Sequence, residues 1–106
     1  MIEKITIPEG FIEYMIVFDT ADIINIEVLP KYRRKGIATS LLKDFFEICN
    51  NAKTGGVSKF FLEVRKSNEN AINLYIKNGF EVISERKNYY KKPTENALVM
   101  IKNIKN

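Results

Sequence analysis

The segment best suited to bind a ligand is Pro30-Lys31-Tyr32-Arg33-Arg34-Lys35-Gly36-Ile37-Ala38, where three consecutive cations precede a glycine and a helical apolar pattern begins just after it. A helix starting here presents unpaired N–H groups and the positive end of its dipole, and both attract phosphate oxygens. Gly36 stands where backbone must approach a ligand closely. The segment is not a nucleotide P-loop, because no Gly-Lys-Ser/Thr follows a spaced glycine, and it lacks the three glycines of a dinucleotide fingerprint. A phosphate cradle and a plain basic helix start with a turn glycine both fit these residues. Histidine is absent and Cys49 is the sole cysteine. That excludes Ser-His-Asp and Cys-His nucleophiles, histidine-bound metal, a thiolate zinc cluster and an intrachain disulfide. Any proton transfer then falls to Glu, Asp, Tyr, Lys or backbone-held water, and no metal is expected. The formal charge of +4 suits an anionic partner, either nucleic acid or a polyphosphorylated cofactor.

These residues need elements to hold them. A chain of 106 residues with 45% hydrophobic content fits a single domain spanning 1–106. No apolar run approaches membrane-spanning length and the start shows no basic, apolar leader, so a soluble cytoplasmic protein is expected. Short apolar stretches at 5–7, 11–18 and 23–28, separated by Pro8-Glu9-Gly10 and Asp19-Thr20, read as three antiparallel strands. Ile37, Leu41, Phe45, Ile48, Cys49 and Ala52 recur every three or four residues, which predicts one apolar face on a long helix ending near Asn50-Asn51. Alternation over 59–65 then places Phe60, Leu62 and Val64 on one face of a strand and Phe61, Glu63 and Arg65 on the other. Ser67 is the expected N-cap of a second helix with Ala71, Ile72, Tyr75 and Ile76 on its apolar stripe and Gly79 just past its end. Two closing strands are expected at 80–84 and 97–101, with a polar, aromatic loop over 86–96. The order is β-β-β-α-β-α-β-β, an α+β fold.

Arg33-Arg34-Lys35-Gly36-Ile37-Ala38 resembles the acetyl-CoA signature of the GCN5-related N-acetyltransferases, Gln/Arg-x-x-Gly-x-Gly/Ala. The block L-E-V-R-K-S-N-E-N-A-I-N-L-Y-I-K-N-G-F is similar to the same family, most closely its ribosomal-protein-alanine branch. The resemblance implies that family's fold, a mixed, mostly antiparallel sheet flanked by helices. It also implies acetyl-CoA as cofactor and acetylation of a primary amine, a peptide or protein α-amine, with a small amine as an alternative acceptor. By the same resemblance, backbone N–H groups from Arg34 to Thr39, through Lys35, Gly36, Ile37 and Ala38, hold the diphosphate beside Arg33. Ile26, Glu27 and Val28 splay from the neighbouring strand to pair with the pantetheine arm, and the Val28 N–H is a candidate oxyanion donor. Glu63 is implied as general base, Asn68 as a pantetheine contact and Tyr75 as general acid.

The chemistry suits those residue types. An α-amine with a pKa of about 8 is partly protonated near neutrality, so a carboxylate must take a proton as it attacks, and a phenol can supply one to the departing thiolate. Each residue also has a plainer reading: Glu63 as a surface carboxylate beside Arg65, Tyr75 as core, Asn68 as a first-turn helix residue and Cys49 as a small core hydrophobe. Tyr89 and Tyr90, in the 86–96 segment, resemble the branch's acceptor-lining tyrosines, although aromatics among cations also stack on single-stranded nucleic acid. The resemblance runs from Ile23 to Met100. In front of it stands only the hairpin-like 1–20, where the family has a strand and two helices walling the acceptor site. A homodimer is therefore expected, with a second copy covering the apolar surface left open. The reading from a different class is a non-catalytic acyl-CoA-binding or nucleic-acid-binding module.

Overall fold

In the computed structural model, which describes residues 1–50 and 56–104, strands β1 (Glu3–Ile7), β2 (Gly10–Val17) and β3 (Thr20–Val28) form an antiparallel meander. Helix α1 (Ile37–Asn50) follows a short 3-10 turn at Pro30–Tyr32, and β4 (Lys59–Arg65) leads into α2 (Glu69–Lys77). A hairpin of β5 (Glu81–Tyr90) and β6 (Glu95–Asn103) closes the chain. The six strands lie in the order β1-β2-β3-β4-β6-β5. β3 and β4 are parallel, while the other neighbours are antiparallel. The expected element order and mixed, mostly antiparallel sheet are thus present.

One irregularity shapes the molecule. In the β2–β3 register Glu13 faces Asn25 but Tyr14 faces Ile23, so Ile24 is an extra residue on β3. A bulge of this kind bends its strand and sharpens its twist. β3 and β4 pair from Thr20↔Lys59 only as far as Ile23↔Leu62. Beyond the bulge, residues 24–28 and 63–65 run apart and leave a split in the sheet. The bulge also resets the alternation, so Ala21 and Ile23 before it and Ile26 and Val28 after it all pack on the same core.

That core lies on one face of the sheet. Ile12 and Tyr14 of β2, Phe60, Leu62 and Val64 of β4 and Met100 of β6 meet Leu41, Leu42, Phe45 and Cys49 of α1 and Tyr75 of α2. Rings link the layers: Tyr14 to Phe45 (4.7 Å between centroids), Phe46 to Phe60 (4.8 Å), Phe46 to Phe80 (6.2 Å) and Phe80 to Tyr75 (5.6 Å). Such offset and edge contacts add to the area these rings bury. Phe61, Val99 and Ile101, on the opposite face and brought together by the pairings Phe61↔Ile101 and Glu63↔Val99, stand outside this cluster.

Several expectations change. The helical stripe of α1 uses the buried Leu42, while Ile48, expected on it, is 40% exposed; Ile76 of α2 is likewise 52% exposed. Each lies at the edge of its apolar stripe. Ala52 lies outside the described residues. The N-cap of α2 is Asn68, whose Oδ1 accepts the Ala71 N–H at 3.2 Å, rather than Ser67. The Ser67 N–H instead donates to the Glu95 carboxylate at 2.6 Å. The segment 86–96 is not a loop: β5 runs to Tyr90 and β6 begins at Glu95. Cross-strand bonds such as Asn96 Nδ2 to Glu85 at 2.6 Å extend the hairpin through residues of low strand propensity.

Candidate active site

Two clefts meet where β3 parts from β4. The first, about 450 Å³, is lined by residues of both diverging strand ends together with Asn68, Ala71, Leu74, Tyr75 and Tyr90. The second, about 800 Å³, lies over the start of α1 and is bounded by Arg33, Arg34, Gly36, Ile37, Ala38 and Thr39. Val28, Arg33, Ala38 and Leu74 line both, so they form one groove.

At the α1 end the backbone is set for an anion. The first helix-closing bond runs from the Ser40 N–H to Gly36 O at 3.0 Å, and the amides of residues 34 to 39 have no acceptor within the described residues. Arg34 (φ 64) and Gly36 (φ 75) both take left-handed backbone, the arrangement that turns successive N–H groups toward one concavity. A Cβ added to Gly36 would meet nothing within 4 Å, so the space over the turn is open. Arg33 donates from Nε to Val28 O at 3.0 Å, tying the turn to the end of β3. Arg34 and, across the groove, Lys77 supply positive charge. Lys35 lines neither cleft, and its backbone amide is among those without an acceptor within the described residues. A diphosphate of acetyl-CoA fits this donor set.

Along β3 the Leu29 N–H bonds to Glu9 O at 2.8 Å on the β2 side. Because successive amides in a strand point to opposite edges, the Val28 N–H faces the split. Ile26, Glu27 and Val28 line its wall.

Opposite them stands Glu63. Its side chain is 18% exposed and each oxygen has a neighbour. The Tyr89 hydroxyl donates to Oε1 at 3.1 Å. Arg86 Nε lies 2.6 Å from Oε2 as an ion pair, yet that oxygen accepts no well-directed hydrogen bond. Arg86 reaches Glu63 across β6, where Ala97 and Val99 lie between them in the register and the small Ala97 leaves room. Asp22, which the alternation of β3 places on the same face, is a second carboxyl nearby. Burial, then the charge of Glu63, raises its pKa above the ordinary value.

Tyr75 is 6% exposed and its ring is edge-on to Phe80. Burial, and then neighbouring Tyr90, push its phenol up to about 12. The hydroxyl makes no hydrogen bond within the described residues, and Tyr75 lines the first cleft opposite the β3 wall. The ring of Tyr75 is thus part of the core, as its plainer reading has it, and the residue also lines the first cleft. Asn68 likewise caps α2 and lines the cleft. Tyr90 lines the cleft, and burial first, then Glu63, raises its pKa. Tyr89 does not line the cleft; its hydroxyl is held on Glu63, which raises its pKa.

Sequence reading missed Asn70, Asn73 and Lys77, which line the second cleft with Leu74. Their spacing of i, i+3 and i+7 marks a polar stripe on α2 beside the apolar one, a signal present in the sequence. It also missed Asp22 and Arg86.

The acetyltransferase (GNAT) family profile matches residues 8–80. The match begins before Ile23 and takes in β2 and β3 but not β1. A [ribosomal protein bS18]-alanine N-acetyltransferase of Haemophilus influenzae is 44% identical over 95 residues, covering 86% of this chain and 62% of its own. The crystal structure of the ribosomal-protein-S18-alanine N-acetyltransferase of Escherichia coli superposes with a TM-score of 0.81 at 35% identity, over 92% of this chain and 63% of that one. A GNAT acetyltransferase of Elizabethkingia anophelis with acetyl-CoA bound gives 0.81 at 25% identity, over 91% of this chain and 69% of that one. The chain thus spans 62–63% of the length of the two alanine N-acetyltransferases. By profile and architecture together, this chain belongs to the acetyltransferase (GNAT) family.

Proposed function

We propose that this chain is an acetyl-CoA-dependent N-acetyltransferase whose acceptor is a primary amine, the α-amine of a peptide or protein. The observation that supports it most is the single groove with free amides at one end and Glu63 and Tyr75 at the other. The relatives named as ribosomal-protein-alanine N-acetyltransferases favour a protein amine over a small amine.

Acetyl-CoA supplies an activated thioester, and the chain's own residues do the rest. Amides of Arg34 to Thr39 hold the diphosphate, with Arg33, Arg34 and Lys77 adding charge. The free edge at Ile26, Glu27 and Val28, with Asn68, aligns the pantetheine, and the Val28 N–H donates to the carbonyl oxygen as its charge grows. Glu63, its rotamer fixed by Tyr89 and Arg86, takes a proton from the incoming amine directly or through water. Tyr75 serves at the sulfur. A phenol near 12 is a much weaker acid than a thiol of ordinary pKa, about 8.5, so it acts chiefly as a neutral hydrogen-bond donor. The acceptor side is completed by a second copy lying on the sheet face that carries the half-buried Phe61 and Ile101.

A thiol-release assay with acetyl-CoA and an Ala-initiated peptide tests the reading. Glu63→Gln is expected to lower turnover by about 10²–10⁴-fold with acetyl-CoA affinity nearly intact. Unchanged turnover in that variant would remove Glu63 from the chemistry, and no thermal stabilisation of the parent chain by acetyl-CoA would remove the cofactor.

A further inference from the structure

Arg65 lies two residues beyond Glu63 on β4, and its guanidinium is committed to the β5–β6 turn. Nη1 donates to Pro93 O at 3.0 Å and to Glu95 Oε1 at 3.3 Å, Nη2 donates to Lys91 O at 3.3 Å, and the group stacks over the Tyr90 ring at 4.4 Å. Glu95 in turn accepts the Ser67 N–H, so the turn is pinned to the β4–α2 junction from two sides. The turn matters because of what precedes it. Between the pairs Arg86↔Ala97 and Tyr90↔Glu95, β5 advances by Lys87, Asn88 and Tyr89 while β6 advances by Asn96 alone. Asn88 takes left-handed backbone (φ 54) inside this wide bulge. A bulge re-aims the side chain it carries, and here that side chain is Tyr89, edge-on to Tyr90 at 5.1 Å and bonded to Glu63. The bulge has its own bonds, from the Asn88 N–H to Asn96 Oδ1 at 2.9 Å and from Lys91 Nζ to Asn88 O at 3.1 Å, and its far end is the Tyr90↔Glu95 pair, both of whose residues the Arg65 guanidinium contacts.

We infer that Arg65 is a positioning residue for the acceptor side of the reaction: by holding the 91–95 turn and the Tyr90 ring, it keeps Tyr89 on Glu63. Lysine does not replace it. One ammonium cannot span two carbonyls and a carboxylate in a planar fork while stacking on a ring. The kinetic part of the test rests on the acetyl-transfer reading, and the spectroscopic part does not.

The experiment follows the Tyr89 ring signal in carbon NMR of tyrosine-labelled chain, assigned through Tyr89→Phe, together with kinetics on an Ala-initiated peptide. In Arg65→Ala the Tyr89 signal is expected to move to that of a solvent-bonded phenol and to lose its response to Glu63→Gln. KM for the peptide should rise, or kcat fall, by about tenfold or more, because a small misplacement at a reacting group is costly. The acetyl-CoA dissociation constant should stay within about twofold, which separates positioning from general loosening. Arg65→Lys, milder for the fold, should shift the same signal in the same direction, so the test survives if the alanine variant does not fold. An unmoved Tyr89 signal in a folded variant, or peptide and acetyl-CoA terms weakened alike, overturns the inference. A parent chain that leaves the peptide unacetylated sinks the acetyl-transfer reading instead, and the Tyr89 signal then decides the role of Arg65 alone.

Discussion

Replacing Gly36 by alanine separates the ligand from the fold. The added Cβ meets no heavy atom within 4 Å, so nothing clashes in the free chain; only the left-handed backbone at φ +75 is penalised. That penalty is roughly 1–2 kcal/mol. For a domain of this size each kcal/mol lowers the thermal midpoint by about 4–8 °C. With acetyl-CoA present the loss is larger, because the open volume over Gly36 is where the diphosphate would lie among the amides of Arg34 to Thr39. A methyl group there lifts phosphate oxygens off at least one N–H, and a hydrogen bond to a charged group is worth about 1.5–3 kcal/mol. At about 2 kcal/mol the dissociation constant rises roughly thirtyfold. A ligand concentration 100-fold above the parent's dissociation constant then stabilises the parent by about 2.7 kcal/mol but the variant by only about 0.9 kcal/mol. Thermal melts of both chains with and without acetyl-CoA read the two effects separately. Gly36→Glu adds like charge to the same place and should abolish the ligand shift. If both variants show the parent's full shift, the turn does not hold phosphate and the groove needs another occupant.

Two further outcomes follow from burial. The Tyr75 phenol, held up to about 12 from an ordinary 10.0, favours folding in its neutral form, so its stabilisation is complete below pH 10 and is lost as pH rises toward 12. Denaturant melts across that range should show a shallower alkaline loss in Tyr75→Phe, and matching slopes would contradict the burial argument. Sedimentation at micromolar concentration should give a dimer mass that falls to the monomer when the half-buried Phe61, on the sheet face opposite the core, becomes lysine; a monomeric parent chain would remove the second copy.

Much of this site was legible because it rests on local rules. Lys31 to Ala38 combine charge, glycine and a change of period within a few residues, and the turn forms where that combination stands. The strand of Glu63 alternates regularly, so its face was readable from Phe60, Leu62 and Val64. The split between β3 and β4 was readable only through the resemblance, because strict alternation from Ile23 would put Ile26 on the opposite face. The bulge at Ile24 overrides that pattern, since a single extra residue lets Ala21, Ile23, Ile26 and Val28 all reach the core while β3 swings off β4.

The same physics explains why the 86–96 segment, a hairpin of β5 and β6, reads as a loop in the sequence. Residues 86–96 look like a loop because Arg, Lys and Asn have little strand preference, and local propensity says nothing about Arg65 or Glu95 arriving from elsewhere in the fold. Tyr89 resembles a free grip on a substrate until β5 folds back over Ala97, after which its hydroxyl, with the Arg86 guanidinium, already occupies Glu63. Under the proposed acetyl-transfer reading, an incoming amine meets a carboxylate whose two oxygens both have neighbours, and it would have to displace Arg86 or approach through water. Of the two neighbours Arg86 is the easier to displace, since its side chain is 55% exposed and its ion pair lacks a directed hydrogen bond. In that reading Tyr89, aimed by a bulge that the Arg65-held turn supports, is the neighbour that would stay and keep the carboxylate oriented while the amine took the position of the guanidinium.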